Sequence, residues 1–246
     1  MLKLFTSLFA VFMITTACAQ TQANDWQFHG TNQTITYFDG RDFNNDTYAP
    51  YHTSSKLIFG TKKMWQDKVE MVINAQGWYV FGQNSHLVNT SNAFSIIDGY
   101  LKFNDVFDMP LDVQAGRFRM EYGTGRFISN SFWNYRERKF DGFRFLFDFD
   151  KNNLDVFLTN HTSQITSQTY NNPLNSSPES YNGYNIYGFW FNTKALENND
   201  INLFGYFENN AAKIADETAL NRYTAGTEYK GNFGNFGAEI QAAYQF

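Results

Sequence analysis

The chain is poor in cysteine and proline, and each shortage narrows the classes of protein to which it can belong. It contains one cysteine and four prolines. A single cysteine excludes an intramolecular disulfide and therefore the small disulfide-stabilised secreted folds. Proline cannot donate a hydrogen bond to a strand ladder, so a β-sheet protein keeps it in loops and turns. All four prolines fall where we predict loops or turns: Pro50, Pro110, Pro173 and Pro178.

Long apolar segments are also missing after the first residues of the chain. No later stretch approaches the ~20 apolar residues that a membrane-spanning helix needs. The chain starts with a positive charge at Lys3, a short apolar run over residues 4–14 and the small-residue site Ala17-Cys18-Ala19. This pattern is typical of a secretory signal peptide. We therefore expect residues 1–19 to be a cleaved signal peptide and residues 20–246 to form the exported domain.

The single cysteine leaves a second interpretation of the N-terminus open. Cys18 could be the lipidated first residue of a lipoprotein, although Thr15 stands where the lipid-attachment motif prefers leucine. Either interpretation takes the protein out of the cytoplasm.

Aromatic side chains are abundant although the chain is polar on average. They make up 19% of the residues, with 27 Phe and 15 Tyr, while the mean hydropathy is −0.47. Alternating lipid-facing and lumen-facing positions of a transmembrane β-barrel produce such a composition. The net charge of −5 gives no reason to expect a nucleic-acid partner.

Apolar and polar residues alternate with a period of two along much of the chain. Residues 238–246 end the sequence with this pattern and an aromatic residue. Alone, the segment also fits a surface strand of a soluble β-sandwich. Together, the segments predict an all-β fold, an antiparallel transmembrane β-barrel. About eleven strands are expected: 26–38, 54–63, 68–82, 93–104, 111–122, 138–148, 153–160, 182–193, 201–209, 220–230 and 236–246.

The connections between these strands alternate in length. Short connections are predicted at 65–67, 104–110, 149–152, 194–200 and 231–235. Long polar ones are predicted at 39–53, 83–92, 123–137, 161–181 and 210–219. Bacterial outer-membrane barrels have short periplasmic turns and long external loops. We therefore expect localisation in the outer membrane, contact with its lipid, and insertion by the barrel-assembly machinery.

An odd number of strands conflicts with this architecture. Complete single-chain bacterial barrels have an even number of strands and end in the periplasm, whereas an eleventh strand would run outward. Either one strand is miscounted, or the barrel continues beyond Phe246. Strand parity alone leaves both explanations open.

Residues 115–148 contain the most distinctive sequence. This segment resembles the alginate export family of outer-membrane porins, which has a Gly-Arg-x-x-x-x-Tyr-Gly-x-Gly-Arg strand end, a Trp-containing loop and an Arg-x-Phe-Asp-Gly strand. The matching residues are Gly116, Arg117, Tyr122, Gly123, Gly125, Arg126, Trp133, Arg138, Phe140, Asp141 and Gly142. The resemblance implies passage of an anionic polysaccharide such as alginate, or of a small anionic solute. Members of this family are longer and form larger barrels, so the resemblance also favours a truncated or partial member, with a complete smaller barrel as the alternative.

Charged residues cluster in the same segment. Arg117, Arg119 and Glu121 alternate with Phe118 and other apolar residues, and arginine facing lipid near the bilayer midplane costs ~2–4 kcal/mol. We therefore expect the arginine face to line the lumen and to favour anions. The candidate pore-lining residues are Arg117, Arg119, Glu121, Arg126, Arg136, Arg138, Arg144 and Asp148.

An alternative is that these arginines pair with Glu121, Glu137, Asp141 and Asp148 and only satisfy a polar interior. Gly123 and Gly125 also have two interpretations. They permit a tight bend or a close backbone approach where loop 123–137 enters the lumen, or they are simply the glycines of a turn at the end of a strand.

The sequence shows little sign of catalytic chemistry. The four histidines have no metal-ligand spacing, and neither a phosphate-binding loop nor a nucleophile elbow is present. Ser129 or Ser131 with His161 is the only candidate set for an outer-membrane hydrolase. We expect no enzymatic activity and no cofactor. A barrel with an adhesion or surface role is the other alternative, based on the polar segment 161–181.

Overall fold

The protein is built around one antiparallel β-sheet, seen here in a computed structural model. The structure describes residues 12–17, 21–23, 26–38, 51–81, 92–132, 137–161, 184–194, 199–209, 221–234 and 236–246. The strands are β1 (Phe12–Ala17), β2 (Thr21–Ala23), β3 (Trp26–Phe38), β4 (Tyr51–Trp65), β5 (Val69–Phe81), β6 (Asn92–Phe103), β7 (Leu111–Phe118), β8 (Phe140–Phe149), β9 (Asn152–His161), β10 (Tyr184–Thr193), β11 (Asn199–Asn209), β12 (Asn221–Phe233) and β13 (Phe236–Gln245).

Helical structure is nearly absent from the described ranges. One 3₁₀ turn, Val106–Asp108, lies between β6 and β7. In the part of the chain that the structure describes, no helix has the length and apolar character needed to cross a membrane.

Each strand from β3 to β13 pairs with its neighbours in sequence. The order is β1-β3-β4 and then onward without interruption to β13, and β2 pairs with β3 beside β1. Among the described strands, no pairing joins β13 back to the first strands, so the sheet is not closed. A meander of sequential antiparallel strands is the connectivity of an up-and-down barrel.

The all-β antiparallel prediction is confirmed. Each of the eleven predicted strands corresponds to one strand from β3 to β13, and β1 and β2 are additional. β1 lies within the segment expected to be a signal peptide and pairs with Thr31–Thr36 of β3. Cleavage of that segment stays a prediction.

One predicted strand is too long. The alternation over 111–122 predicted a strand through Tyr122, but β7 ends at Phe118. Residues 119–122 follow without a strand partner. Apolar and polar residues still alternate there because Met120 and Tyr122 are buried in an apolar cluster on the sheet. At these positions the alternation of apolar and polar residues therefore results from burial and not from strand pairing.

Within the described residues, short connections are found where they were predicted, between β4 and β5, between β6 and β7, and between β8 and β9. The chain between β4 and β5 turns through Gln66 and Asp67, both with positive φ, and the Lys68 amide donates to the Trp65 carbonyl at 2.9 Å. Of the long predicted loops, only 123–137 lies largely within the described residues. The other four fall wholly or almost wholly outside them.

The two faces of the sheet differ in character. The segment 119–139 joins β7 to β8 and is called the connector below; we define the inner face as the face covered by its described residues, 119–132 and 137–139. Its polar side chains include Lys56 of β4, Glu70 and Asn74 of β5, Asp155 of β9 and Glu228 of β12, and all five are buried.

The outer face carries exposed apolar side chains along the same strands. They include Leu57, Phe59, Ile73, Phe94, Leu101, Phe143, Leu158, Tyr187, Phe189, Leu203, Tyr223, Ile240 and Tyr244. In β13 the alternation places polar and apolar side chains on opposite faces, as expected. Gln241 and Gln245 bond inner-face residues, while Ile240 and Tyr244 lie on the outer face. An apolar exterior with a polar interior is the pattern of a transmembrane barrel.

The connector also requires the sheet to curve. The Thr124 amide donates to Glu228 in β12, and the Phe132 carbonyl accepts from Lys56 in β4. These strands are eight steps apart in the sheet order, or ~38 Å in a flat sheet. The connector between them is folded on itself by a bond from the Tyr122 amide to the Ile128 carbonyl. The sheet must therefore wrap around the connector.

Candidate functional site

The connector is held against the sheet by an apolar cluster. Phe118 at the end of β7 is buried with Met120, Tyr122 and Ile128 of the connector against side chains from four strands. The strand residues of the cluster are Phe140 of β8, Phe157 of β9, Ile186 and Trp190 of β10, and Phe204 and Tyr206 of β11. Burial of this much apolar surface fixes the connector inside the curved sheet.

Stacked aromatic rings form the centre of this cluster. The Tyr122 ring lies 5.6 Å from the Phe157 ring and 5.1 Å from the Trp190 ring. Trp190 stacks in turn on Phe204 at 4.5 Å, and Phe127 packs on Phe204 at 5.1 Å. Rings at such separations attract each other beyond the effect of buried area.

Two glycines let the connector turn at the inner face. Gly123 and Gly125 have φ values of +56° and +71°, a region that favours glycine. A β-carbon on Gly123 would lie 2.5 Å from the Glu228 carboxylate. Glu228 accepts from the amide and the hydroxyl of Thr124, each at 3.2 Å. The close-approach interpretation of Gly123 therefore agrees with its surroundings.

A second anchor is a cluster of charged groups near the end of the connector. The Glu137 carboxylate accepts from Lys56 Nζ at 2.8 Å through one oxygen and from Arg119 at 2.5 Å through the other. Arg119 also bonds Asp98, at 2.7 Å, and Lys56 donates to the Phe132 carbonyl at 2.6 Å. The Glu137 side chain is only 3% exposed, so it is a buried carboxylate shared by two cations.

A third set of polar contacts joins the connector to β8 and β9. Arg144 Nε donates to Asp155 at 3.0 Å, and a second Arg144 nitrogen bonds the same oxygen. The Tyr122 hydroxyl donates to that oxygen as well. The Arg144 guanidinium also lies over the Phe118 ring, 5.6 Å from its centroid. Charge-assisted bonds of this kind are stronger than neutral ones.

Two connector side chains outside the strands have shifted pKa values. Burial acts to lower the pKa of Arg119, but the negative charges and hydrogen bonds of Asp98 and Glu137 outweigh it and raise the pKa. Burial raises the pKa of the Tyr122 hydroxyl well above its usual value. Arg119 is therefore charged, and Tyr122 is a neutral hydrogen-bond donor, over the physiological pH range.

The structure places Arg117 on the outer face, opposite to the face that was predicted. Arg117 pairs in register with Gly99 and Asp141, and bonds Asp141 at 2.6 and 2.7 Å. Phe118 takes the inner position because the aromatic cluster accepts it there. The ion pair with Asp141 offsets part of the cost of an outward arginine.

The remaining candidate residues that the structure describes lie around the connector. Glu121 is exposed and accepts from Ser129 at 3.3 Å. Arg126 and Arg138 are exposed. Asp148 is exposed near the end of β8. Arg136 lies outside the described residues.

Two cavities flank the connector on the inner face. One, of about 390 Å³, is lined by Asn74, Asp98, Tyr100, Gln114, Phe118, Arg119, Met120, Glu121, Asn130 and Arg144. The other, of about 420 Å³, is lined by Glu121, Tyr122, Gly123, Leu146, Phe147, Asp148, Asn153, Leu154, Asp155, Trp190, Asn192 and Asn202. Both sizes fall within the range of small-molecule sites.

Sequence reasoning missed several residues of this site. Lys56, Asp98 and Asp155 were not singled out, although each is a charged residue within a predicted strand. Spacing alone does not reveal which distant strand an inner-face charge will meet. The pairing alternative named Glu137 and Asp141 as arginine partners, and the structure contains both pairs.

The serine and histidine side chains considered for catalysis contact groups other than each other. His161 Nδ1 lies 2.9 Å from the Lys139 carbonyl, and Ser129 bonds Glu121. Within the described ranges, no group of three or more His, Cys, Asp or Glu side chains is arranged to hold a metal ion.

Comparison with protein families gives a match over most of the chain. The family model described as alginate export matches residues 25–246. The chain belongs to the alginate export family. The resemblance of residues 115–148 to this family is thereby confirmed. The alginate export family is a family of transport porins, and together with the fold it indicates an outer-membrane protein. Comparison with curated proteins gives no match.

Proposed function

We propose that the protein acts in an outer-membrane channel through which alginate-like polysaccharide, or another hydrophilic anionic solute, passes by diffusion. Family membership supports transport of this kind. The contrast between an apolar outer face and a charged inner face supports passage along the inner face. The proposal includes export by a signal peptide over residues 1–19 and insertion by the barrel-assembly machinery.

The observation that carries the proposal is the group of cations that surrounds the connector. Lys56, Arg119 and Arg144 lie on the inner face beside the connector, where each is paired with a carboxylate of Glu137, Asp98 or Asp155. A passing carboxylate can bond the arginine and lysine nitrogens of such pairs, so the pairs favour an anionic solute. The pore-lining set proposed here is Arg119, Glu121, Arg126, Arg138, Arg144 and Asp148.

Planar-bilayer recording tests this proposal directly. The refolded chain should give discrete conductance steps, and a salt gradient should give a reversal potential that indicates preference for anions. Replacing Arg119 and Arg144 together by Gln should shift that potential toward cation preference. An unchanged reversal potential in a conducting double variant would contradict the role of these arginines.

The ion pair on the outer face provides the matched control. Arg117→Gln combined with Asp141→Asn removes one pair without changing the net charge, on the face away from the connector. This variant should keep the reversal potential of the original protein. A shift as large as that of the inner-face variant would show that the potential reports general damage to the fold.

A further inference from the structure

Glu137 occupies the position that a ligand carboxylate would take. Its two oxygens bond two different cations, Lys56 of β4 and Arg119 at the start of the connector, at 2.8 and 2.5 Å. Two cations that converge on the two oxygens of one carboxylate form an anion site. In the structure that site is filled by a side chain of the protein itself.

Several features allow the Glu137 side chain to be exchanged without removing the connector. The connector is independently anchored by the Tyr122 stack and by the bonds from Thr124 to Glu228. The Glu137 amide also donates to the Gln76 side chain of β5 at 3.3 Å, so the backbone at this position has a bond to the sheet that does not depend on the carboxylate.

Room for a sugar residue exists beside this site. The cavity of about 390 Å³ includes Arg119, Tyr100, Gln114 and Asn130 in its lining. Amide and hydroxyl groups can bond sugar hydroxyls, while Arg119 at the edge can bond an acidic substituent.

We propose that Lys56 and Arg119 form a binding site for the carboxylate of a uronate residue, and that Glu137 occupies this site as an internal competitor when no uronate is bound. This inference rests on the proposed function and adds a way in which binding of the transported solute is regulated. A uronate displaces the Glu137 carboxylate from the two cations and takes over both ion pairs. No covalent bond forms or breaks.

Competition from the Glu137 carboxylate weakens the binding of a uronate by an amount that depends on how often Glu137 fills the site. If Glu137 fills the site about 90% of the time, the apparent dissociation constant for a uronate is raised about tenfold. Glu137→Gln removes the competing charge and keeps nearly the same size. The variant should therefore bind a uronate about tenfold more tightly than the original protein.

Calorimetric titration of the refolded full chain in detergent micelles tests this expectation. The probe is a galacturonate tetramer, and a neutral maltose-type tetramer is the comparison ligand. Glu137→Gln should bind the acidic tetramer about tenfold more tightly and leave binding of the neutral one unchanged. Equal affinity of the variant and the original protein for the acidic tetramer would overturn the proposal.

Two further variants make the result specific. Asp108→Asn removes an exposed carboxylate in the turn between β6 and β7 that contacts neither cation, and it should leave the affinity unchanged. Glu137→Asp keeps the charge but is one methylene too short to hold both cations, so it should give an intermediate affinity. If Glu137→Gln fails to fold, the Asp variant decides: an affinity equal to that of the original protein contradicts the proposal.

The titration is independent of conductance, so the two proposals can fail separately. A chain that conducts anions but shows no effect of Glu137→Gln on binding would refute the internal competitor alone. A chain that binds the acidic tetramer without conducting would refute the channel and leave the competitor in place.

Discussion

Gly123 shows how one residue can position the whole connector. Its φ of +56° favours glycine, and its missing side chain leaves space for the Glu228 carboxylate, which would lie 2.5 Å from a β-carbon. Thr124 can then donate to Glu228 through its amide and its hydroxyl. The backbone conformation and the close contact therefore both require glycine at this position.

Gly123→Ala should destabilise the protein more than the same change at Gly234. Gly234 also has a positive φ, +62°, but nothing lies within 4 Å of the position of its β-carbon. Left-handed backbone strain of ~1–2 kcal/mol is common to both variants. Gly123→Ala should lose ~1–2 kcal/mol more because the Glu228 contact is disturbed.

Urea unfolding of the two variants in phospholipid vesicles measures this difference. Equal free energies of unfolding would show that Glu228 adjusts to the added methyl group without loss. A larger loss for Gly234→Ala would contradict the packing described around Gly123.

At the scale of elements, the early end of β7 is what creates the connector. β7 is eight residues long, while β5 and β12, which lie further along the sheet on either side, have thirteen each. The chain leaves the sheet after Phe118 and crosses the inner face, where Tyr122 is inserted between the rings of Phe157 and Trp190.

Tyr122→Ala should release this anchor. It removes a 9% exposed ring from the stack and a hydroxyl that bonds Asp155, so a loss of ~3–5 kcal/mol in unfolding free energy is expected. Phe132→Ala, at a connector position that is 53% exposed, should cost less than ~1 kcal/mol. The same urea titration compares them, and similar losses would contradict the stack as the main anchor.

At the scale of the whole molecule, the opposite polarity of the two faces determines how the sheet meets its surroundings. Leu203 and Asn209 lie on the same outer face of β11, Leu203 near the middle of the strand and Asn209 at its end. Leu203 is 46% exposed, as expected of a side chain that contacts lipid.

Leu203→Arg should therefore impair folding into a bilayer far more than Asn209→Arg. An arginine on the lipid face costs ~2–4 kcal/mol near the midplane and ~0–1 kcal/mol near the interface. Folding free energies measured in phospholipid vesicles provide the comparison. Equal costs at the two positions would show that this face of β11 does not cross the hydrocarbon layer.

The sequence alone indicated strands β3 to β13, apart from the early end of β7, because a period-two pattern follows directly from which face of a strand meets lipid and which meets polar groups. It placed eleven strands, identified their antiparallel order through short connections, and indicated the alginate export family through residues 115–148. Each of these signals is local, so a single sequence is enough to detect it.

Only the tertiary structure decided which charges meet. Lys56 and Glu137 are 81 residues apart, and Thr124 and Glu228 are 104 residues apart, so no local pattern links them. The same is true of the face on which Arg117 lies: alternation fixes that Arg117 and Phe118 point in opposite directions, but the aromatic cluster on β8–β11 decides which one points inward. Packing between distant strands supplies that choice because burying Phe118 removes apolar surface from water, while Asp141 stabilises the outward arginine.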